Sequence, residues 1–186
     1  MRIVCEHINK SFNGKPVISD FSFTFEEGKH YILSGASGTG KTTLLNLLMG
    51  LLKADSGKII REDISFSAVF QEDRLLEDLG PVENVLAVSP GLTAEEARTA
   101  LKEVLPEEEL DKPVKDLSGG QKRRVAVVRA LMHESSCLIL DEPFTGMDQD
   151  TLEKVWDFIS AHAGKRILIL VSHEQIDEKR FIKIAI

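Results

Sequence analysis

Gly35-Ala36-Ser37-Gly38-Thr39-Gly40-Lys41-Thr42 follows the apolar triplet Tyr31-Ile32-Leu33 and runs into an apolar stretch over 41–52. A strand, a glycine-rich loop and a helix in that order build a phosphate cradle. The glycines let the backbone turn its N–H groups inward on an anion, and the positive end of the following helix adds to the attraction. The pattern G-x-x-x-x-G-K-[ST] directs Lys41 to the β- and γ-phosphates and the Thr42 hydroxyl to Mg²⁺. Thr43 is placed to add a hydroxyl at the α-phosphate.

Outward from this loop, strand-like runs lie at 2–8, 17–25 and 30–34. The first two are separated by the turn signal Asn13-Gly14-Lys15-Pro16, so they predict an antiparallel N-terminal sheet. Further strands are expected at 57–60 and 64–70. The stretch 74–112 changes character. Thr93 with Glu96 three residues on is a capping box, and Ala97, Leu101, Val104 and Leu105 recur at helical spacing. With a further helix opening at Ser118, these residues predict a helical subdomain over about 74–133, punctuated by Pro81, Pro106 and Pro113. Strand, helix and strand then alternate at 137–140, 150–162 and 167–171, which implies a mostly parallel sheet with helical crossovers.

Two further stretches carry chemistry. Cys137-Leu138-Ile139-Leu140-Asp141-Glu142-Pro143 is an apolar strand ending in two acids. A carboxylate at such a strand tip suits Mg²⁺, the role given to Asp141, and Glu142 beside it is placed to accept a proton from an attacking water. Leu117-Ser118-Gly119-Gly120-Gln121 opens the next helix with a serine N-cap and two glycines, a second place where helix-start N–H groups face an anion. One nucleotide has no need of two such sites in one chain. A composite site, completed by a second subunit, accounts for both.

At this point the sequence resembles the ABC ATPase family of P-loop NTPases, along nearly its whole length and with the motifs in order. Gly35–Thr42 is similar to the Walker A loop, Gln71 to the Q-loop glutamine and Leu117–Gln121 to the signature. Residues 139–142 resemble Walker B, Thr145-Gly146-Met147-Asp148 the D-loop, and His173 the switch histidine. Phe12 resembles the aromatic that stacks on adenine. The resemblance implies one α/β domain over 1–186: a P-loop NTPase core with a mostly parallel sheet, an N-terminal antiparallel β-subdomain and a small helical subdomain. It implies ATP and Mg²⁺ as ligands, the ion held by Thr42, Gln71 and Asp141. Glu142, His173 and Gln71 would be the catalytic set. Ser118, Gly119, Gly120, Gln121 and Asp148 would meet the nucleotide across a head-to-tail dimer. Met147 stands where the family usually has leucine. The chain ends about a dozen residues after His173, which predicts no C-terminal regulatory domain and an exposed edge strand at 181–186.

Partners follow from the same resemblance: a second ATPase subunit and separate transmembrane permease subunits, with import favoured by the region 69–85. A soluble assembly ATPase without a membrane partner is the alternative. DNA-repair relatives, with a long coiled coil between the phosphate loop and the signature, do not fit the short interval from Gln71 to Ser118 here. The chain has 186 residues, a net charge of −7 and a pI near 5.3. That balance argues against a nucleic-acid partner. Lys122-Arg123-Arg124 is read as a solvated helix face and Glu107-Glu108-Glu109 as a solvated turn. Cys5 and Cys137 sit in apolar strands, as buried reduced thiols would. No signal peptide is visible and the greasy run 44–52 is too short to span a bilayer, so the expected location is cytoplasmic, peripheral on the inner face of the cell membrane.

Overall fold

A computed structural model describes residues 1–61, 63–174 and 180–186. Its contacts divide the chain into two units, the first made of 1–66, 135–139 and 165–186, the second of 67–134 and 140–164.

The first unit opens with β1 (Arg2–Phe12) and β2 (Lys15–Glu26), paired antiparallel, with β4 (Ser56–Arg61) on the other side of β1. Asn13 and Gly14 join the hairpin with φ of 50° and 76°. Two left-handed residues in a two-residue loop make the turn whose twist matches the flanking strands, which is why Asn-Gly serves there. The strands extend several residues past the expected 2–8 because a bulge absorbs a break in alternation. His7 and Asp20 both sit near φ of 50°, the register shifts between Cys5 and Ile8, and the His7 Nδ1–Asp20 Oδ1 contact of 2.6 Å closes the bulge. Ile3, Cys5, Ile8, Ile18 and Phe25 are buried on the inner face. Phe25 and Phe23 meet Tyr31 edge-on at ring separations of 5.0 and 5.6 Å, and the Tyr31 hydroxyl accepts the Glu26 N–H at 2.8 Å.

β3 (His30–Ser34) lies between β7 (Ile167–Val171) and β8 (Ile182–Ala185), parallel to both. The apolar core of β3 and all of β7 are buried, as strands covered on both faces must be. β6 (Cys137–Asp141) is next to β7, followed by β5 (Phe66–Val69), giving the order β5-β6-β7-β3-β8. β8 is an edge strand and carries an exposed Ile182, in line with the expected edge. α1 (Lys41–Met49) buries Leu44, Leu45, Leu47 and Leu48. It stops three residues short of the expected 52. Gly50 takes the left-handed C-terminal position (φ 76°), and its N–H returns to Leu47 O. Arg61 on β4 completes that end, donating Nε to Leu48 O at 2.6 Å and Nη2 to Leu47 O at 2.5 Å.

The second unit contains β5 from Ser67 on, the end of β6, α2 (Pro81–Leu86), α3 (Ala94–Lys102), α4 (Gly119–Met132) and α5 (Gln149–His162). The predicted capping box starts α3: Thr93 Oγ1 accepts from Glu96 N, and the Glu96 carboxylate accepts from Thr93 N at 2.8 Å. α2 is one and a half turns, opened by Pro81 and fixed by buried Asn84. That side chain accepts from Leu76 N at 2.8 Å and donates to Leu76 O and Gly80 O, satisfying a stretch without regular pairing. Ala97, Ala100, Leu101, Leu105, Leu110, Val114 and Val125 are buried. Among the described residues no helix is long and apolar enough to cross a membrane.

Candidate nucleotide site

The phosphate loop lies in the first unit, between β3 and α1. Gly38 and Gly40 have φ of 83° and 108°, a region closed in practice to side-chain-bearing residues. Gly40 is also a close approach: a Cβ there would stand 2.8 Å from Val17 Cγ1 and 3.0 Å from Val17 O. The stretch 35–38 is exposed, and so is Thr42. No side chain caps the start of α1, the position an anion takes at such a loop. Lys41 is 8% exposed and folds back on the loop, donating Nζ to Gly35 O at 2.8 Å and Ala36 O at 2.9 Å. The ammonium is therefore held within the loop by two of its carbonyls. Thr39 Oγ1 donates to the same Ala36 carbonyl at 3.0 Å.

His173 belongs to this unit as well. It is exposed just beyond β7, whose neighbour β3 leads into the loop, and the two strands run parallel in register from His30 with Leu168 to Ile32 with Leu170. Phe12 ends β1 with 45% of its surface exposed, Lys10 Nζ lying 5.4 Å from its ring centre.

The second unit holds the remaining candidates: Gln71, Ser118 to Gln121, Asp141, Glu142 and Asp148. Ser118 caps α4 as expected, but Gln121 is drawn into the cap. Ser118 Oγ accepts from Gln121 N, and Gln121 Oε1 accepts from Ser118 N at 2.8 Å. Gly120 touches the D-loop, where a Cβ would sit 2.6 Å from Gly146 O, and Gly119 has nothing within 4 Å of the same position. Asp148 caps α5 through Thr151 N at 2.8 Å; hydrogen bonds from Thr151, with Arg124 adding its charge, hold this carboxyl below the usual range. Gln121 and Asp148 thus carry local structural work besides any contact with nucleotide. Asp141 is 5% exposed at the end of β6 and Glu142 follows half-buried with φ of 54°, a left-handed conformation that a non-glycine residue adopts only where its surroundings impose it.

The triplet 122–124 is no solvated face: Arg123 is 3% exposed, and Arg124 is half-buried with Nη1 on Val104 O at 2.6 Å. Arg123 donates Nε and Nη2 to Glu142 O at 2.9 and 2.8 Å, and Nη1 to Phe70 O and to Asp73 Oδ1, the latter at 3.0 Å. Phe70 and Glu142 each lie just past a strand, and a guanidinium, with five donors in one plane, reaches the carbonyls of both. A sequence signal existed. Arg123 stands three, four and seven residues before Ala126, Val127 and Ala130, on the buried face of α4.

A parallel α/β sheet with a glycine cradle between β3 and α1, and a second serine-capped glycine start at α4, defines a nucleotide-binding α/β protein. The ABC transporter family profile matches residues 18–145. The HrtA protein of Staphylococcus epidermidis, provisionally named for hemin import, is 33% identical over 94% of this chain and 91% of its own length. The aliphatic sulfonates import ATP-binding protein SsuB 3 of Rhodococcus jostii is 41% identical over 92% of this chain and 65% of its own. A bacterial ABC transporter cassette solved as a dimer superposes with a TM-score of 0.82 at 25% identity, over 98% of this chain and 94% of that one. The chain belongs to the ABC transporter family, as an ATP-binding subunit that hydrolyses ATP.

Proposed function

We propose that the chain is the motor subunit of an import-type ABC transporter, working as a head-to-tail dimer on separate membrane subunits at the inner face of the cell membrane. The observation that carries this is the presence, in one chain, of two helix starts built on glycine, α1 behind Gly40 and α4 at Gly119 and Gly120. One nucleotide needs one cradle; a second is explained if it serves the nucleotide of a partner copy. The relatives named for import, and the related cassette that forms a dimer, support the same reading.

In this reading Gly35, Ser37, Gly38, Thr39, Gly40 and Lys41 hold the β- and γ-phosphates, and Thr43 the α-phosphate. Phe12 covers the adenine. Ser118, Gly119 and Gly120, with Asp148 and Gln121 behind them, close on the partner's nucleotide. An exposed hydroxyl at a helix start and a buried carboxylate are hard oxygen donors and fit Mg²⁺. Thr42 and Asp141 would hold the ion, with Gln71 through its side-chain oxygen, and the ion would supply charge neutralisation at the phosphates. Glu142 accepts the proton of the attacking water, and His173 donates toward the γ-phosphate. ATP favours the closed dimer, and loss of phosphate favours the open one, so each turnover moves whatever the dimer grips.

Glu142→Gln tests the chemistry. It should bind ATP with Mg²⁺, hydrolyse it roughly 10²- to 10⁴-fold more slowly, and accumulate as a dimer by light scattering; native-rate hydrolysis rules out Glu142 as the base. Recovery of the tagged chain from detergent-solubilised membranes tests the partner. A multi-span protein at near-equal stoichiometry upholds the transporter, whereas soluble partners alone refute it and leave the ATPase intact.

A further inference from the structure

The segment after β5, which carries Gln71, is tied to α4 by two arginines of that helix. Arg129 donates Nη1 to Arg74 O at 2.7 Å and Nη2 to Asp73 O at 2.8 Å. Arg123 takes Phe70 O and, at 3.0 Å, Asp73 Oδ1. The guanidinium of Arg74 lies over the Phe70 ring, 3.9 Å from its centre, and closes the segment on itself. Arg123 alone reaches further. Its Nη2 also donates to Asp141 O, and its Nε and Nη2 share Glu142 O. Thr145 adds its hydroxyl to the same Glu142 carbonyl at 3.1 Å. One planar group therefore holds three backbone carbonyls and one carboxylate, drawn from the two segments that carry Gln71 and Glu142.

The geometry points to Arg123 as a positioning residue for ATP hydrolysis. It fixes the left-handed turn at Glu142, so aiming that carboxylate, and ties the aim to the place of the Gln71 segment. The tie follows from the shared group: displacing Phe70 and Asp73 draws on the same guanidinium that restrains Asp141 and Glu142. Lysine cannot stand in. It offers a point charge on a flexible stem where the site uses three nitrogens in a fixed plane. The inference rests on the reading of Glu142 as the base, and its test separates the two.

The test is a double-mutant cycle on the full chain: Arg123→Lys, Glu142→Gln and the double variant, with steady-state and single-turnover hydrolysis of ATP plus Mg²⁺. Arg123→Lys should lower kcat about 10- to 100-fold, the scale set by sub-ångström misplacement of a reacting group, with the KM for ATP unchanged within about twofold. On the Glu142→Gln background the same substitution should cost nothing further. A native kcat for Arg123→Lys beside a dead Glu142→Gln overturns the positioning role alone. A loss that carries over undiminished to the Glu142→Gln background also overturns it, because Arg123 then acts elsewhere. Native-rate hydrolysis by Glu142→Gln removes the base reading and this inference with it. Asp73→Asn provides the second variant should Arg123→Lys fail to fold. It weakens only the side-chain bond from the Gln71 segment, and it should lower kcat about threefold or more with KM unchanged; a native kcat there refutes the tie.

Discussion

Gly119 and Gly120 offer a controlled perturbation, because the same methyl group placed on adjacent residues meets opposite surroundings. Both lie in the first turn of α4, and neither has a positive φ. Alanine at either should gain about the same helix propensity, up to about 1 kcal/mol. At Gly119 the methyl enters open space, whereas at Gly120 it would sit 2.6 Å from Gly146 O. Ordinary contact is about 3.4 Å, so the signature and the D-loop must part by most of an ångström. Gly146 cannot yield easily, since its φ of 77° fixes the turn. Overpacking of this kind costs about 1–3 kcal/mol, and the propensity term cancels in the comparison. For a chain of this length 1 kcal/mol moves Tm by roughly 2–4 °C, so Gly120→Ala should melt about 2–12 °C below Gly119→Ala. Calorimetry without nucleotide makes the measurement. Coincident melting curves would refute the contact and, with it, the claim that signature and D-loop are packed as one piece.

Other outcomes follow from single features. Lys41→Ala removes both the charge meant for phosphate and the donor on Gly35 O and Ala36 O; ATP affinity should fall at least tenfold by equilibrium dialysis, and unchanged binding would contradict the cradle. Burial pushes the thiols of Cys5 and Cys137 up to about 12, so both should resist alkylation at pH 8 in the folded protein and react on unfolding. The same shifts lower stability above about pH 8.5, where the unfolded thiols ionise and the folded ones stay protonated. In acid, Asp148 and Glu96 act in the other direction. Their depressed values mean stability that is present above the unfolded carboxylate range and lost as pH falls below about 4, so Asp148→Asn should flatten the acid limb of the Tm-against-pH curve. Thr93→Ala, which removes the cap of α3, should cost about 1 kcal/mol in urea unfolding.

The parts legible in the sequence are those whose cause is local. The loop over 35–42 forms because of its own glycines, and the Asn13-Gly14 hairpin and the Thr93 cap are settled within four residues. The apolar pattern points to a helix end three residues too late because it continues through Leu51 and Leu52, while the backbone of one glycine, Gly50, decides where the helix stops. Leu51 is left exposed as a result. The bulge at His7 escaped for a similar reason: it is fixed by cross-strand contact with Asp20, thirteen residues away.

Arg123 shows why charge is a poor guide to exposure. Three basic residues in a row count toward a solvated face only if nothing nearby needs donors. Phe70 and Glu142 lie just past the ends of β5 and β6, and the carbonyl of each takes a guanidinium N–H of Arg123; a buried carbonyl left unsatisfied costs about 1–3 kcal/mol. The partners stand 53 and 19 positions away in the chain. Periodicity could have raised the question, since Arg123 shares the buried face of α4 with Val127, but it could not have said which carbonyls were waiting. The phosphate loop and the Glu142 turn are therefore built by different devices. The phosphate loop is held by backbone conformations open only to glycine, and the Glu142 turn by a side chain supplied from another element. The first should tolerate almost no substitution at Gly38 or Gly40, whatever surrounds them. The second should tolerate Glu142→Gln without loss of fold, because the clamp holds the backbone carbonyl of that position.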